Sequence, residues 1–346
     1  MADKRVGIKE IANLSGISAG NVSMVLSGRG DEARISKSSQ QRVMDAARQL
    51  NYRPNIYAKR LRMQHTDRPL IAVFFTPDKH AAIVGRFFAG IHDIVQAGKL
   101  GVVPEIVLYA YTRDRLADIK DTICSSFFNS AVFMGMSQKD SEFLERLALK
   151  LPVVLFNRRS EQYHSVCVDN PSIGHIAARL FAQNNCKRAC LVTGKILSQP
   201  GKERMEGFID ECARVGVTLP PQLIYRVDAV SEGGKHAGQM IPLGENAPDV
   251  VFFSESFLAV SALPYLLRRG VSIPRQLSLM CYGDESSEEY ALPSLTSIRM
   301  PIEAMSYDCV RVLMEVHQKG SIEPTCTLHQ PALIIRESFV PLQEQR

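Results

Sequence analysis

Two series of short apolar runs, interrupted at regular intervals, constrain the fold of this 346-residue chain more than any other feature. The first series reads LIAVFF (70–75), EIVLYAY (105–111), SAVFMG (130–135) and PVVLF (152–156); the second reads ACLVTG (189–194), QLIYRV (222–227), DVVFFS (249–254) and LSLMCYGD (277–284). Each run is near-continuous rather than alternating, as a strand buried on both faces of a parallel sheet requires. Stretches between them, such as Phe87 to Val95 and Ser141 to Leu149, carry helical periodicity. The pattern predicts an α/β core of two βαβ lobes.

Residues 1–65 read differently. They hold twelve basic and five acidic side chains, a net +7 that leaves −2 on the remaining 281 residues. A basic head on a near-neutral body fits a head that meets a polyanion, against the plainer reading of a solvated basic face. Three short helices are predicted there. The first spans about Ile8 to Ser15 with Ile8, Ile11, Ala12 and Leu14 on its apolar stripe, and Gly16 ends it. The second opens at Ser18 and buries Val22, Val25 and Leu26; the third opens at Ser36, runs through Val43, Ala46, Ala47 and Leu50, and stops before Pro54. A short Gly-containing turn between the first two is the helix-turn-helix arrangement.

At this point the chain resembles a known family. GIKEIANLSGISAGNVSMVLSG, ISKSSQQRVMDAARQLNYRPN and the following IYAKRLR, together about the first 62 residues, are similar to the DNA-binding headpiece of LacI-family (LacI/GalR-type) bacterial transcriptional regulators. The resemblance implies that Ala19, Gly20 and Met24 occupy base-reading positions of the recognition helix, the last commonly Arg in relatives. A bidentate Arg to guanine supplies roughly 1–3 kcal/mol of discrimination, which Met24 cannot provide. Ala19 and Met24 are left with apolar contacts to thymine methyls, and Gly20 with close backbone approach. Ser18, Asn21, Ser23, Ser27, Ser36 and Ser39 are the candidates for phosphate contacts. Arg29, in the long loop GRGDEARIS, is a candidate to supply the polar readout that the helix lacks.

Residues 55–62 suffice for two helical turns, too few to be stable alone in water. The resemblance implies that they fold on DNA as a hinge helix in the minor groove, with Leu61 as the wedge between base pairs and Tyr52, Asn55 and Ala58 beside it. An ordinary linker with one exposed Leu is the alternative.

The body also resembles this family, whose core is similar to periplasmic sugar-binding proteins; the similar segments are LPVVLFNRR, VDN (168–170), RMEGF (204–208), PDVVFFSESFLAVSAL, LPSLTSIRMP and LIIRES (333–338). The implied architecture is an all-α helix-turn-helix headpiece (1–54), a hinge helix and linker (55–66), and a periplasmic-binding-protein-like core (67–346). Its first lobe takes about 67–169 and 297–330, its second about 170–296 and 331–346, with crossings near 169, 296 and 330 and an effector in the cleft between the lobes. Asp78, Asn157, Arg158, Arg204, Ser254 and Asp284 are the implied effector contacts. Asn157 stands where relatives often have Asp, Ser254 where Asn is usual, and Gly283-Asp284 where a pair of Asp is frequent. With one carboxylate gone and Arg158, Arg159 and Arg204 present, an effector with an anionic group is favoured over a neutral monosaccharide. Arg158 as a surface side chain and Ser254 as a strand-end cap remain alternatives, as does a cleft that binds a partner protein.

Other classes find little support. The one G-x-S-x-G string, GISAG at 16–20, lies between two predicted helices and is no strand-to-helix elbow; H-E-x-x-H and a Gly-rich phosphate loop do not occur, and neither the eight His nor the eight Cys show metal-ligand spacing, so no enzyme, cofactor or metal is expected. The start MADKRVGIKE lacks an apolar signal core, and no apolar run approaches the roughly 18 residues of a membrane span. A cytoplasmic, nucleoid-associated protein without membrane contact is expected, rather than a transport binding protein. An inverted-repeat DNA operator is the expected partner, met by a homodimer. RESFVPLQEQR carries no leucine heptads for a tetramer.

Overall fold

The structure, a computed structural model, describes residues 7–26, 28–50, 52, 69–77, 81–100, 102–283, 286–320 and 322–339. The chain forms two compact units, Met1–Thr66 and Asp67–Arg346.

In the first unit, α1 (Ile8–Ser15), α2 (Ala19–Leu26) and α3 (Lys37–Gln49) each have a side chain near their start that accepts an open backbone N–H. Glu10 Oε2 accepts the Gly7 N–H at 2.9 Å, Ser18 Oγ accepts the Asn21 N–H at 3.3 Å, and Ser36 Oγ accepts the Ser39 N–H at 3.2 Å. Gly16 closes α1 at φ +69°, where a side chain would be strained. Ile11, Val22, Val25, Val43, Ala46 and Ala47 form the buried centre, with Ile8, Ala12, Leu26, Leu50 and Tyr52 packed around it. One expectation fails: the inward stripe of α1 takes Ser15, and Leu14 is 46% exposed.

The second unit runs β1 (Leu70–Phe75), α4 (Ala81–Gln96), β2 (Glu105–Ala110), a 3-10 turn leading into α5 (Lys120–Ile123), β3 (Ser130–Phe133), α6 (Gln138–Leu147), β4 (Val153–Phe156) and β5 (His164–Val168). It continues with α7 (Asn170–Gln183), β6 (Ala189–Gly194), α8 (Gln199–Val215), β7 (Ile224–Val227), α9 (Ser231–Met240), β8 (Val250–Phe253), α10 (Ser256–Arg268) and β9 (Ser278–Tyr282). The remaining elements are α11 (Ser286–Glu289), β10 (Thr296–Arg299), α12 (Ile302–Lys319), β11 (Cys326–His329) and β12 (Ala332–Ile334).

These strands make two six-stranded sheets, ordered β11-β5-β4-β3-β1-β2 and β12-β10-β9-β8-β6-β7. Every pairing is parallel except that of β10 with β12. Six of the eight apolar runs supply almost wholly buried strands, whereas β2 and β7 lie at sheet edges and are partly open, and the fully buried β5 comes from HSVCV, outside the runs. Phe74 on β1 stacks on Phe133 of β3 at 4.7 Å and on Tyr109 of β2 at 5.0 Å. The chain passes between the sheets three times. One boundary needs correcting: β10 pairs with β9 and β12, so residues 297–299 belong to the second lobe. The middle crossing follows Arg299, and α12 then returns to pack on α4, β4 and β5.

Backbone contact fixes α7 against α8. A Cβ on Gly174 would stand 2.2 Å from the Phe208 nitrogen, and one on Gly207 2.6 Å from the Pro171 oxygen. Only glycine permits this approach, which holds Arg204 on α8 beside Asn170 at the start of α7. Among the described residues, no helix is long and apolar enough to cross a membrane.

Candidate nucleic-acid interface and interlobe cleft

On the first unit, Ser18, Ala19, Gly20 and Asn21 are exposed at the start of α2, while Ser23 and Met24 one turn later are half-buried. A Cβ added at Gly20 would meet nothing within 4 Å, so packing within the unit does not require glycine there. Ser36 is exposed and Ser39 half-buried, and the Ser36 hydroxyl donates to that of Ser39 at 2.9 Å. Tyr52 is half-buried against the core. Ser27, Asn55, Ala58 and Leu61 lie outside the described residues.

The loop between α2 and α3 is held by its own polar contacts. Asp31 pairs with Lys37 Nζ at 2.7 Å, and Gln40 Nε2 donates to Asp31 and to the Ile35 carbonyl, each at 2.8 Å. Bonds from Lys37 and then Gln40 hold the Asp31 carboxyl below its ordinary range. Arg29 sits at the start of this loop and Arg34 near its end, both exposed. Asp31 is thus occupied by Lys37 and Gln40.

In the second unit, a cleft of about 1350 Å³, solvent-open mouth included, lies between the two lobes at the carboxyl ends of their strands. Asn157, Arg158 and Arg204 line it together. Asn157, at φ +52° just past β4, accepts from Asn170 Nδ2 at 3.1 Å through its Oδ1. Asn170 Oδ1 in turn accepts from Arg204 Nη1 at 3.0 Å, so one polar chain links the lobes beside the first crossing. Arg204 is buried, donates to Glu255 at 3.3 Å and lies 3.9 Å over the Tyr282 ring.

Arg158 is 7% exposed, which rules out the surface reading. It donates to the Met136 carbonyl and to Gln138 Oε1 at 3.4 Å. Burial, then repulsion from Arg113, pulls its pKa below the ordinary guanidinium value.

Ser254 is not in the cleft lining. It is 1% exposed and donates to Thr193 Oγ1 at 2.9 Å, tying the end of β8 to β6 as a strand-end cap. Asp78 and Asp284 lie outside the described residues, although Gly283 beside the latter lines the cleft. Sequence reasoning passed over Arg86, Arg113, Glu255 and Tyr282, all of which line the cleft. Arg113, Glu255 and Tyr282 each stand at or just beyond the carboxyl end of a strand, the position that open α/β sheets reserve for ligands, and that rule could have found them.

Comparison with known proteins places both units. A family described as "Bacterial regulatory proteins, lacI family" matches residues 7–55, and a "Periplasmic binding protein-like domain" matches residues 178–339. The "Probable HTH-type transcriptional repressor ExuR" of Bacillus subtilis is 23% identical over 336 residues, covering 96% of this chain and 98% of its own. A LacI family transcription regulator from Clostridium acetobutylicum has a structure 28% identical to this chain with a TM-score of 0.71, covering 78% of this chain and all of that one. The lac repressor dimer bound to operator and the anti-inducer ONPF matches 97% of this chain and 99% of its own with a TM-score of 0.73; at 18% identity this speaks for the fold. These relatives are transcriptional regulators, not enzymes.

Proposed function

Because the chain belongs to the LacI family of bacterial transcriptional regulators, a DNA-binding headpiece followed by a periplasmic-binding-protein-like core, we propose that it is a repressor binding an inverted-repeat operator as a homodimer, with affinity set by an effector in the interlobe cleft. One headpiece reads one half-site, and a two-fold dimer reads the repeat. Ser18, Asn21, Ser23, Ser36 and Ser39 anchor phosphates, Ala19 and Met24 touch thymine methyls, and Gly20 lets the backbone come close. Arg29 adds a polar contact from the loop. Leu61 wedges into the minor groove from the hinge segment, with Ser27, Tyr52, Asn55 and Ala58 as further contacts carried over from the sequence resemblance.

The observation that carries the regulatory reading is the polar chain Asn157–Asn170–Arg204–Glu255, which runs from one lobe to the other through the cleft lining. A ligand bonded to Asn157, Arg158 or Arg204 acts on both lobes at once and favours one arrangement of them. Arg113 and Arg158, which form no ion pair with a carboxylate among the described residues, support an effector with an anionic group; Asp78 and Asp284 remain candidate contacts from the sequence. A ligand that binds one arrangement about 100-fold better shifts operator affinity by up to roughly 2.7 kcal/mol.

Selection of bound sequences from random duplex DNA by the full-length protein tests this reading, followed by affinity of the winner across a metabolite panel. An inverted repeat whose affinity moves with one compound is the expected result. Absence of an enriched repeat would overturn sequence-specific readout, and an enriched repeat indifferent to every compound would overturn effector control.

A further inference from the structure

We infer that the interlobe cleft takes a small organic carboxylate with an apolar body, its carboxylate held between Arg113 and Arg158, rather than a polyhydroxylated sugar. This rests on the effector-regulated reading above and names the ligand class for that site.

The charge in the cleft is distributed unevenly. Arg86 meets Glu303 through two bonds of 2.8 Å, and Arg204 meets Glu255. Arg113 and Arg158 have no carboxylate within ion-pair distance among the described residues. Arg113 Nη1 donates to the Gly135 carbonyl at 3.3 Å and Arg158 Nη2 to that of Met136, so the carbonyls of consecutive residues just past β3 anchor the two heads, which both line the cleft and repel each other. A guanidinium carries five N–H donors, and these bonds use one on Arg113 and, with Gln138, two on Arg158. Burial, then repulsion from Arg113, depresses the Arg158 pKa, against a smaller opposing pull from Tyr111 and Glu203; an anion between the two heads would relieve the repulsion. A carboxylate suits them because each oxygen accepts charge-assisted bonds from a planar fork.

At the α8 start the Gly201 N–H is bonded to Ser198 Oγ at 3.4 Å and Pro200 has no N–H. Glu255, the residue before α10, makes no capping bond and turns its carboxylate to Arg204, which leaves a negative charge at that end of the cleft and makes the Arg113–Arg158 end the better place for an anion.

The rest of the lining is poor in what a sugar needs. Ring hydroxyls call for acceptors, above all carboxylates. Among the described lining residues Glu255 is the one carboxylate, and Arg204 already holds it. Asn157 Oδ1 is committed to Asn170 and Val168. Against this stand Phe75, Phe156 and Met134 from the first lobe and Ile196, Leu197 and Phe257 from the second. Ile196 is 84% exposed, an aliphatic side chain left in water at the cleft wall. A ligand with an apolar body removes that surface from solvent; a sugar would bury it against hydroxyls that need partners.

Calorimetric titration of the full-length protein tests the inference, with 3-phenylpropanoate and 4-methylpentanoate as probes, their primary amides as neutral counterparts, and D-glucose and D-glucuronate as sugars. At least one carboxylate is expected to bind, roughly 10- to 100-fold more tightly than its amide, as removal of a charge-assisted bond pair dictates. Arg158→Gln is expected to remove the difference between acid and amide. Arg158 is buried, so Arg113→Gln, on a half-exposed side chain, repeats the test with the thermal unfolding midpoint as control. Binding of D-glucose without the carboxylates would overturn the proposal, as would silence from every probe. D-glucuronate binding alone would overturn the apolar body, and an unchanged preference in a folded Arg113→Gln would overturn the clamp. Operator affinity without ligand is read separately, so failure here is distinguishable from failure of the DNA-binding reading.

Discussion

At the scale of single residues, Gly20 poses the sharpest energetic question. Glycine near the start of a helix costs up to about 1 kcal/mol against alanine, yet no neighbour in the unit occupies the place of its side chain. The compensation must come from outside the free protein, and a DNA backbone or base edge approaching α2 supplies it. Gly20→Ala is therefore expected to leave the unfolding midpoint unchanged or raised while operator affinity falls; a variant that binds operator as tightly as the parent would remove close backbone approach from the account. Arg29 is tested alongside it: Arg29→Ala is expected to weaken operator binding and relax base preference at one position per half-site, by roughly 1–3 kcal/mol if it contacts guanine. Retained affinity and preference would take Arg29 out of the readout. The residues of the cleft were legible to different degrees. Asn157, Arg158 and Arg204 followed from matching positions in a resembling family. Ser254, which stands where that family usually has Asn, was placed by the same positional argument and is buried against Thr193, because a short hydroxyl at a strand end bonds the neighbouring strand sooner than it reaches the cleft. Arg113 could have been found from its place just past the carboxyl end of β2, but its bond to the Gly135 carbonyl, 22 residues distant, is one that no local pattern encodes.

At the scale of elements, strands were readable in proportion to their apolar content: β2 and β7 were read although partly open to solvent, and the fully buried β5 was not, because HSVCV mixes His and Ser with its valines. β1, β3, β4, β6 and β8 are almost wholly buried, so both faces demand apolar side chains and the runs stand out. β11 and β12 each lie at one edge of their sheet, opposite β2 and β7, and are largely open to solvent; CTLH and ALI carry no comparable signal. β10 is mostly buried, but it spends Thr296 and Ser297 on hydrogen bonds with the segment around Arg336, which hides it among loop-like residues and misplaced the middle crossing. The hinge segment 55–62 is an element of the opposite kind, too short to hold itself together and dependent on DNA in the proposed mechanism. Leu61→Ala is expected to abolish most operator bending, read by energy transfer between dyes at the duplex ends, and to lower specific affinity towards that for random DNA. Folding should be unaffected. Bending equal to that of the parent would remove the hinge wedge.

At the scale of the whole molecule, the function proposed is a coupling between two sites, and coupling has consequences that neither site shows alone. Whatever factor an effector imposes on operator affinity, saturating operator must impose on effector affinity, because both close the same thermodynamic cycle. Salt then reports where the coupling acts. Operator affinity should fall steeply with ionic strength, since the first 65 residues carry a net +7 and each neutralised phosphate releases counterions. Lys59, Arg60 and Arg62 lie in the hinge segment. If the effector works by moving that segment on or off the minor groove, the weaker-binding state neutralises fewer phosphates, and its plot of log affinity against log salt is shallower by about 0.9 for each phosphate no longer neutralised. Operator titrations from about 50 to 200 mM salt, with and without the active compound, would read this directly. Parallel lines offset by a constant would mean that the effector alters the headpiece or its pairing without releasing hinge cations, and the hinge would lose its place as the element through which the cleft controls DNA.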